Sequence, residues 1–489
     1  MSRRPWLGWT AVLVTAACAG CGEPDEGAHA AAAGVPADSV HFTHAGPPVP
    51  PVPTFDTVRE GRTHFGGVTL GGGRAWVLSR DSRIDKDEAW RFATPDSVTL
   101  DAIDVVSGAV VTSTPLVTGA TAGEIATDGT SVFVHACHDT YPGAESTVYT
   151  ASMHCYNHRT GVLSNTAWGM VIHPGPQQLA MAVGEDGHVL AVTGYGSLMK
   201  FSPECARVAY QLQLGPPVTP PSAYEANWKA YQTWSVPVIV EDRVLLVDGF
   251  NRLVEFDYET LDILRRVPLA TGHARLPILV TPQRQTVLYG GLFGFTILDA
   301  DLSVSYTLNE LMVGAPGPAV ALSNGYFTNV HVAAGEVVLW RTPEHWLRHA
   351  ANPGVGYYST AAPTVSPDGE IWALGIGIGD AFGEVGLVIS GFRETTEPSG
   401  KSVDTATRRT FLGPGEPLTH TFPAMPRDEQ VIYVTKHGVH SRKLEGLRMP
   451  EPTHWSTAHG NMARDRRWRP PRPGSGPASA PPRAAAARR

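Results

Sequence analysis

The chain has 489 residues, of which 42% are hydrophobic and 17% charged, so a sizeable core is expected and wholesale disorder is excluded. The formal charge is −8; two arginines sit at the start, 464–489 carries a surplus of seven positive charges, and the remainder therefore carries −17. A body that acidic argues against nucleic acid as a partner, because phosphate binding needs a basic surface.

Residues 1–20 read as an export signal. Arg3 and Arg4 form a basic n-region, and the apolar stretch Trp6 to Ala17 is too short to span a bilayer. It ends at Ala19-Gly20-Cys21, small residues before a cysteine. This resembles a bacterial lipoprotein signal, in which Cys21 becomes the lipidated N-terminus. Cys18 is a rival site, and a non-lipidated secretory signal is the alternative. Residues 22–58 are rich in Ala, Gly and Pro, with the run Pro47 to Pro53 as an extended spacer, and read as a disordered tether. At the other end, residues 469–489 are an Arg/Pro/Ala-rich segment that reads as a disordered tail. That basic tail suits anionic lipid headgroups or polysaccharide; the plainer reading is a solubilising tail.

Between these ends, 59–468 repeats one pattern eight times: a tight turn feeding a short strand of β-branched, aromatic or aliphatic residues. The clearest copy is Ser366–Gly375, where Asp368-Gly369 precedes Ile371-Trp372-Ala373-Leu374. Related turns are centred on Gly73, Gly129, Gly187, Arg243, Gln285, Gly325 and Gln430, so successive copies lie 40 to 61 residues apart. That period, with strand–turn–strand content in each unit, predicts an all-β fold, a β-propeller of seven or eight four-stranded blades, with eight fitting the repeats better. Pro237, Pro277, Pro318, Pro363 and Pro423 open the preceding strand in five copies. Proline cannot donate to a ladder, so these prolines suit the innermost strand beside the channel. A second turn follows in several copies, as in Asp104-Val105-Val106-Ser107-Gly108 and Asn157-His158-Arg159-Thr160-Gly161. In these an Asp or Asn binds its own backbone and a Gly takes the left-handed position.

Asp-Gly, an apolar strand and an apolar-Asp-x-x-Thr/Ser-Gly turn together resemble the repeat of the pyrroloquinoline-quinone-type (quinoprotein-like) β-propellers. Trp455 to Arg464 is similar to a Trp–Gly–Asn–Arg element in such chains. The dehydrogenases of that family imply a quinone, a calcium ion, a catalytic Asp and a disulfide between adjacent cysteines. This chain has no Cys-Cys pair, and no calcium ligand or base can be matched to a position, so the reading is a propeller without cofactor, catalytic or metal residues.

The densest reactive set is His135, Cys137, His138, Asp139, His154, Cys155 and His158 in the second unit. On a strand, residues i and i+2 share a face, so His135 and Cys137 point together while His138 points away. Three readings stay open: a Cys137–Cys155 disulfide between neighbouring strands, unpaired thiols, or a metal site. Trp76, Phe133, Tyr289, Trp372 and Tyr433 fall just after their turns and read as packing residues. The function expected is that of a non-enzymatic, exported lipoprotein, anchored in the outer membrane or at the cell surface of a bacterium and scaffolding a protein partner of the envelope. The alternatives are a quinoprotein-like oxidoreductase or other propeller enzyme, and a polysaccharide-binding surface protein.

Overall fold

The computed structural model describes residues 51–449, except for 83–97, 117–121, 140–148, 172–179, 193–197, 212–234, 249–251, 270–277, 290–294, 309–315, 322–326, 332–335, 341–346, 350–363, 366–369, 379–384, 397–401 and 414–423. The Asp368-Gly369 turn, Cys21 and the Trp455–Arg464 element lie outside these residues.

After β1 (Phe55–Val58) the first sheet is β2 (Arg62–Gly71), β3 (Arg74–Asp81), β4 (Val98–Asp104) and β5 (Val110–Pro115). The second is β6 (Ala122–Thr127), β7 (Ser131–Asp139), β8 (Tyr149–Asn157) and β9 (Val162–Val171). The third is β10 (Ala180–Val183), β11 (Val189–Val192), β12 (Leu198–Phe201) and β13 (Arg207–Gln211). The fourth is β14 (Val238–Val240), β15 (Arg243–Val247), β16 (Arg252–Asp257) and β17 (Ile263–Pro268). The fifth is β18 (Leu279–Val280), β19 (Thr286–Tyr289), β20 (Phe295–Leu298) and β21 (Val304–Leu308). The sixth is β22 (Pro316–Ala321), β23 (Phe327–His331), β24 (Glu336–Trp340) and β25 (Leu347–His349). The seventh is β26 (Thr364–Val365), β27 (Ile371–Ile378), β28 (Val385–Thr396) and β29 (Ser402–Gly413). The last holds β30 (Ala424–Arg427), β31 (Gln430–Val434) and β32 (Gly438–Lys443), and β1 completes it in the order β1-β32-β31-β30.

Each sheet is an antiparallel meander, and neighbouring first strands lie side by side: β2 with β6, β6 with β10, β10 with β14, β18 with β22, β22 with β26, and β30 back with β2. Eight four-stranded sheets set in a ring with their first strands innermost make a β-propeller. The ring closes with strands from both ends of the described body. Phe55–Val58, read from sequence as the last of the tether, is therefore a strand of the eighth sheet. Its short, polar-punctuated sequence carries no period-2 signal of its own; it pairs because β32 offers an open edge.

Sheets packed on both faces need strands that are apolar on both sides, and β11 (Val189-Leu190-Ala191-Val192) is buried at every position. The core consists of the seams between sheets. Trp76 and Leu78 meet Ile125 and Val134; Phe133 and Met153 meet Met181 and Phe201. Val77 and Ile103 meet Ile432 and Val439 where the last sheet returns to the first. Trp76, Phe133, Trp372 and Tyr433 are all buried, as their positions after the turns imply, each contributing on the order of 2–3 kcal/mol of burial. Pro237 stands just before the innermost strand β14, and Pro318 sits at a register shift in β22.

The turns also follow their sequences. Asp104 Oδ1 accepts the N–H groups of Val106 (3.1 Å) and Ser107 (2.7 Å), and Gly108 ends the turn at φ 73°. Asn157 Oδ1 does the same for Arg159 and Thr160 before Gly161. In the third, fourth and fifth sheets the left-handed position belongs instead to Cys205, Leu261 and Leu302.

Candidate functional site

The described members of the second-sheet cluster of His and Cys do not converge. Pairing puts Glu124, His135 and Met153 on one face of the sheet and His154 with Val134 on the other. His135 and His154 are fully buried, and Ser152 Oγ lies 3.0 Å from His154 Nε2. His158 leaves the sheet in the turn, its Nε2 2.8 Å from the Gly129 carbonyl, beside Trp76. Among the described residues no three His, Cys, Asp or Glu side chains come together as a metal site. The side chains of Cys137, His138 and Asp139 lie outside the description.

The disulfide is Cys155–Cys205, with an S–S distance of 2.07 Å, in place of the Cys137–Cys155 pair that is one of the three readings open from sequence. Register is the reason. Cys155 lies opposite Phe133 while Cys137 lies opposite Ala151, four residues along the ladder, or about 13 Å. Cys205 instead ends the turn between β12 and β13, taking the left-handed place that Gly108 and Gly161 hold in earlier copies, and reaches across the seam to β8. Aligning Ser202–Cys205 with those turns is the sequence signal that places Cys205, though it does not give its partner. The resemblance to quinone-binding propellers predicts a bridge between adjacent cysteines; here the partners are 50 residues apart, so the residues present do not fit that cofactor site.

A charged cluster occupies the seam between the last and first sheets. Asp101 is fully buried, and its carboxylate accepts hydrogen bonds from Arg59 (2.5 Å), Ser79 (2.5 Å), Ser113 (2.6 Å) and Thr99 (3.0 Å). Arg62 adds bonds to the Ser79 hydroxyl (3.0 Å) and carbonyl (2.9 Å). His64 is buried beside them, its backbone N–H donating to the Lys436 carbonyl at 2.8 Å. Burial, which Asp101 only partly offsets, pushes its imidazole pKa down to about 4.

A hydroxyl–imidazole–carboxylate row lies nearby. Thr435 Oγ1 is 3.1 Å from His440 Nε2, and His440 Nδ1 donates to Asp56 Oδ1 at 2.6 Å. Thr435 is buried and accepts the Gly438 N–H (3.1 Å), while Asp56 is also held by Arg442 at 2.8 Å. Burial opposes ionisation of Asp56, but its bonds from His440 and Arg442 hold the carboxyl below its usual range. This row fastens β1 to the last sheet. The sequence alone cannot reveal it, because Asp56 and His440 are 384 residues apart.

The two ends of the propeller differ most. All fifteen connections from first to second and third to fourth strands emerge at one end, and each has two to six residues. The sixteen others emerge at the opposite end and run from three residues to the 26 of 212–237.

No protein-family model matches the chain, and no curated protein does. Among solved structures the chain is similar to BamB from Moraxella catarrhalis, at 11% identity and TM-score 0.48 over 80% of this chain and 100% of that one. It is similar to the C-terminal WD40 domain of Sif2 at 9% identity and TM-score 0.49, over 81% of this chain and 98% of the other. Virginiamycin B lyase from Staphylococcus aureus gives 9% and 0.40, over 80% and 98%. The class of this protein, a β-propeller, rests on its own ring of sheets and closing strand.

Proposed function

We propose that this chain is an exported propeller lipoprotein, anchored through Cys21, that scaffolds a protein partner in the cell envelope on its long-connection end. The connection lengths carry the reading. Tight turns leave little chain to vary, whereas long connections on a rigid scaffold are where binding residues concentrate. The longest, 212–237, contains Tyr224, Trp228, Tyr231 and Trp234, the residue types that dominate protein interfaces. The Cys155–Cys205 bridge supports export, since such bonds persist in oxidising compartments. Gentle crosslinking in the native host followed by affinity capture tests this. One envelope protein recovered in constant ratio is the expected result, and a chain that stays alone at working crosslinker doses counts against the scaffold.

A further inference from the structure

The described body begins and ends at one hairpin. Arg427 Nη2 donates to the Pro51 carbonyl at 2.7 Å, and the next residue, Asp428, accepts the Met449 N–H at 2.8 Å. Ser441 Oγ holds the Pro53 carbonyl at 2.9 Å, and Glu429 N–H donates to the Leu447 carbonyl at 2.7 Å. The hairpin joins β30 to β31, a first-to-second-strand connection, so both exits lie at the tight-turn end. The strand directions agree: β1 runs antiparallel to β32 and so rises from that end, while the chain after β32 returns to it.

Both segments joined there suit a lipid surface. The N-terminal one leads back to Cys21. The C-terminal one holds the surplus of seven positive charges, set against −17 on the rest of the chain after the signal. We infer that the tight-turn end faces an anionic bilayer, held by the Cys21 acyl group and the arginines of 464–489 together, so that the long-connection end points away from the membrane. A lipid anchor with one polybasic segment is a two-signal arrangement that gives firm anchoring. The acidic body is repelled by the same surface that draws the tail, which keeps the body off the lipid and its far end free. This rests on the lipoprotein reading proposed above.

The full chain carrying Cys21→Ser isolates the tail. It is mixed with vesicles of phosphatidylcholine alone or with phosphatidylglycerol and sedimented. The expected result is binding to anionic vesicles only, weakening as salt rises. Changing the eight arginines of 464–489 to glutamine should weaken it about tenfold or more, with thermal unfolding unchanged. Equal binding to both vesicle types, retention in the glutamine variant, or preference for an anionic polysaccharide overturns the inference. Orientation is read on vesicle-bound protein carrying a dye at Asp301, in a tight turn, or at His437, in the opposite turn. Energy transfer to a headgroup dye should be stronger from Asp301, and equal or reversed transfer refutes the orientation. The mass of the N-terminal peptide from native membranes tests acylation of Cys21 separately.

Discussion

His64 is a buried residue whose charge state bears on the fold. Its ordinary pKa is 6.5, and burial, aided by Arg59 and only partly offset by Asp101 and the Lys436 backbone, lowers it to about 4. The unfolded chain therefore takes up a proton near pH 6.5 that the folded chain refuses until near pH 4. Stability is fully present above the ordinary pKa and falls as pH drops from about 6.5 to about 4, by roughly 3 kcal/mol. Carboxylates such as Asp56 and Asp186, whose pKa values lie below their usual range, lose their contribution only in more acidic solution and so do not account for this window. His64→Phe should flatten the stability profile between pH 6.5 and 4 in urea titrations; an unchanged slope would remove His64 as its cause. Nothing in the sequence around Thr63-His64-Phe65 announces this, because the groups it meets, Lys436 and Asp101, lie far along the chain. The same holds for the His and Cys cluster: proximity in sequence placed His135 and His154 near one another, and the pleat sent them to opposite faces.

At the scale of elements, two devices tie sheets together across long separations. The Cys155–Cys205 bridge closes a 50-residue loop across the seam of the second and third sheets, and chain-entropy reasoning gives it about 4 kcal/mol. Cys155→Ala with Cys205→Ala, or mild reduction, should lower the urea midpoint accordingly, while Cys137→Ala should leave it near the wild-type value. The second device is β1. Thr57 Oγ1 donates to the Gly108 carbonyl at 2.6 Å, and a Cβ added at Gly108 would meet Phe55 at 2.5 Å. Gly161 has the same φ of 73° in the next sheet but nothing within 4 Å. Gly161→Val should therefore cost only the left-handed backbone penalty of about 1–2 kcal/mol, and Gly108→Val at least 2 kcal/mol more through loss of the β1 contact. Equal losses in urea unfolding would mean that Phe55 does not hold the ring closed.

For the whole molecule, the architecture was legible because each copy announces itself locally. A turn residue with positive φ and a β-branched run need no distant partner, so Gly73, Gly129 and Gly187 marked their hairpins correctly. The closing strand and the true disulfide were not legible, since both depend on which edges meet once the ring forms. The same logic bears on function. The repeated turn signals fell at the tight-turn end, where sequence must satisfy the backbone, whereas the opposite connections share little beyond the proline that precedes several first strands. If that freedom serves binding, exchanging 212–234 for a Gly/Ser linker of equal length should abolish recovery of the crosslinked partner. Thermal unfolding should move little, because the linker joins the same strand ends and loop-closure cost depends weakly on length and composition. A control that alters the other end, Asp301→Lys with Glu204→Lys, should leave recovery intact. Partner recovery that survives the first exchange and fails in the second would place the docking surface on the tight-turn end, and with it reverse the assignment of the two faces.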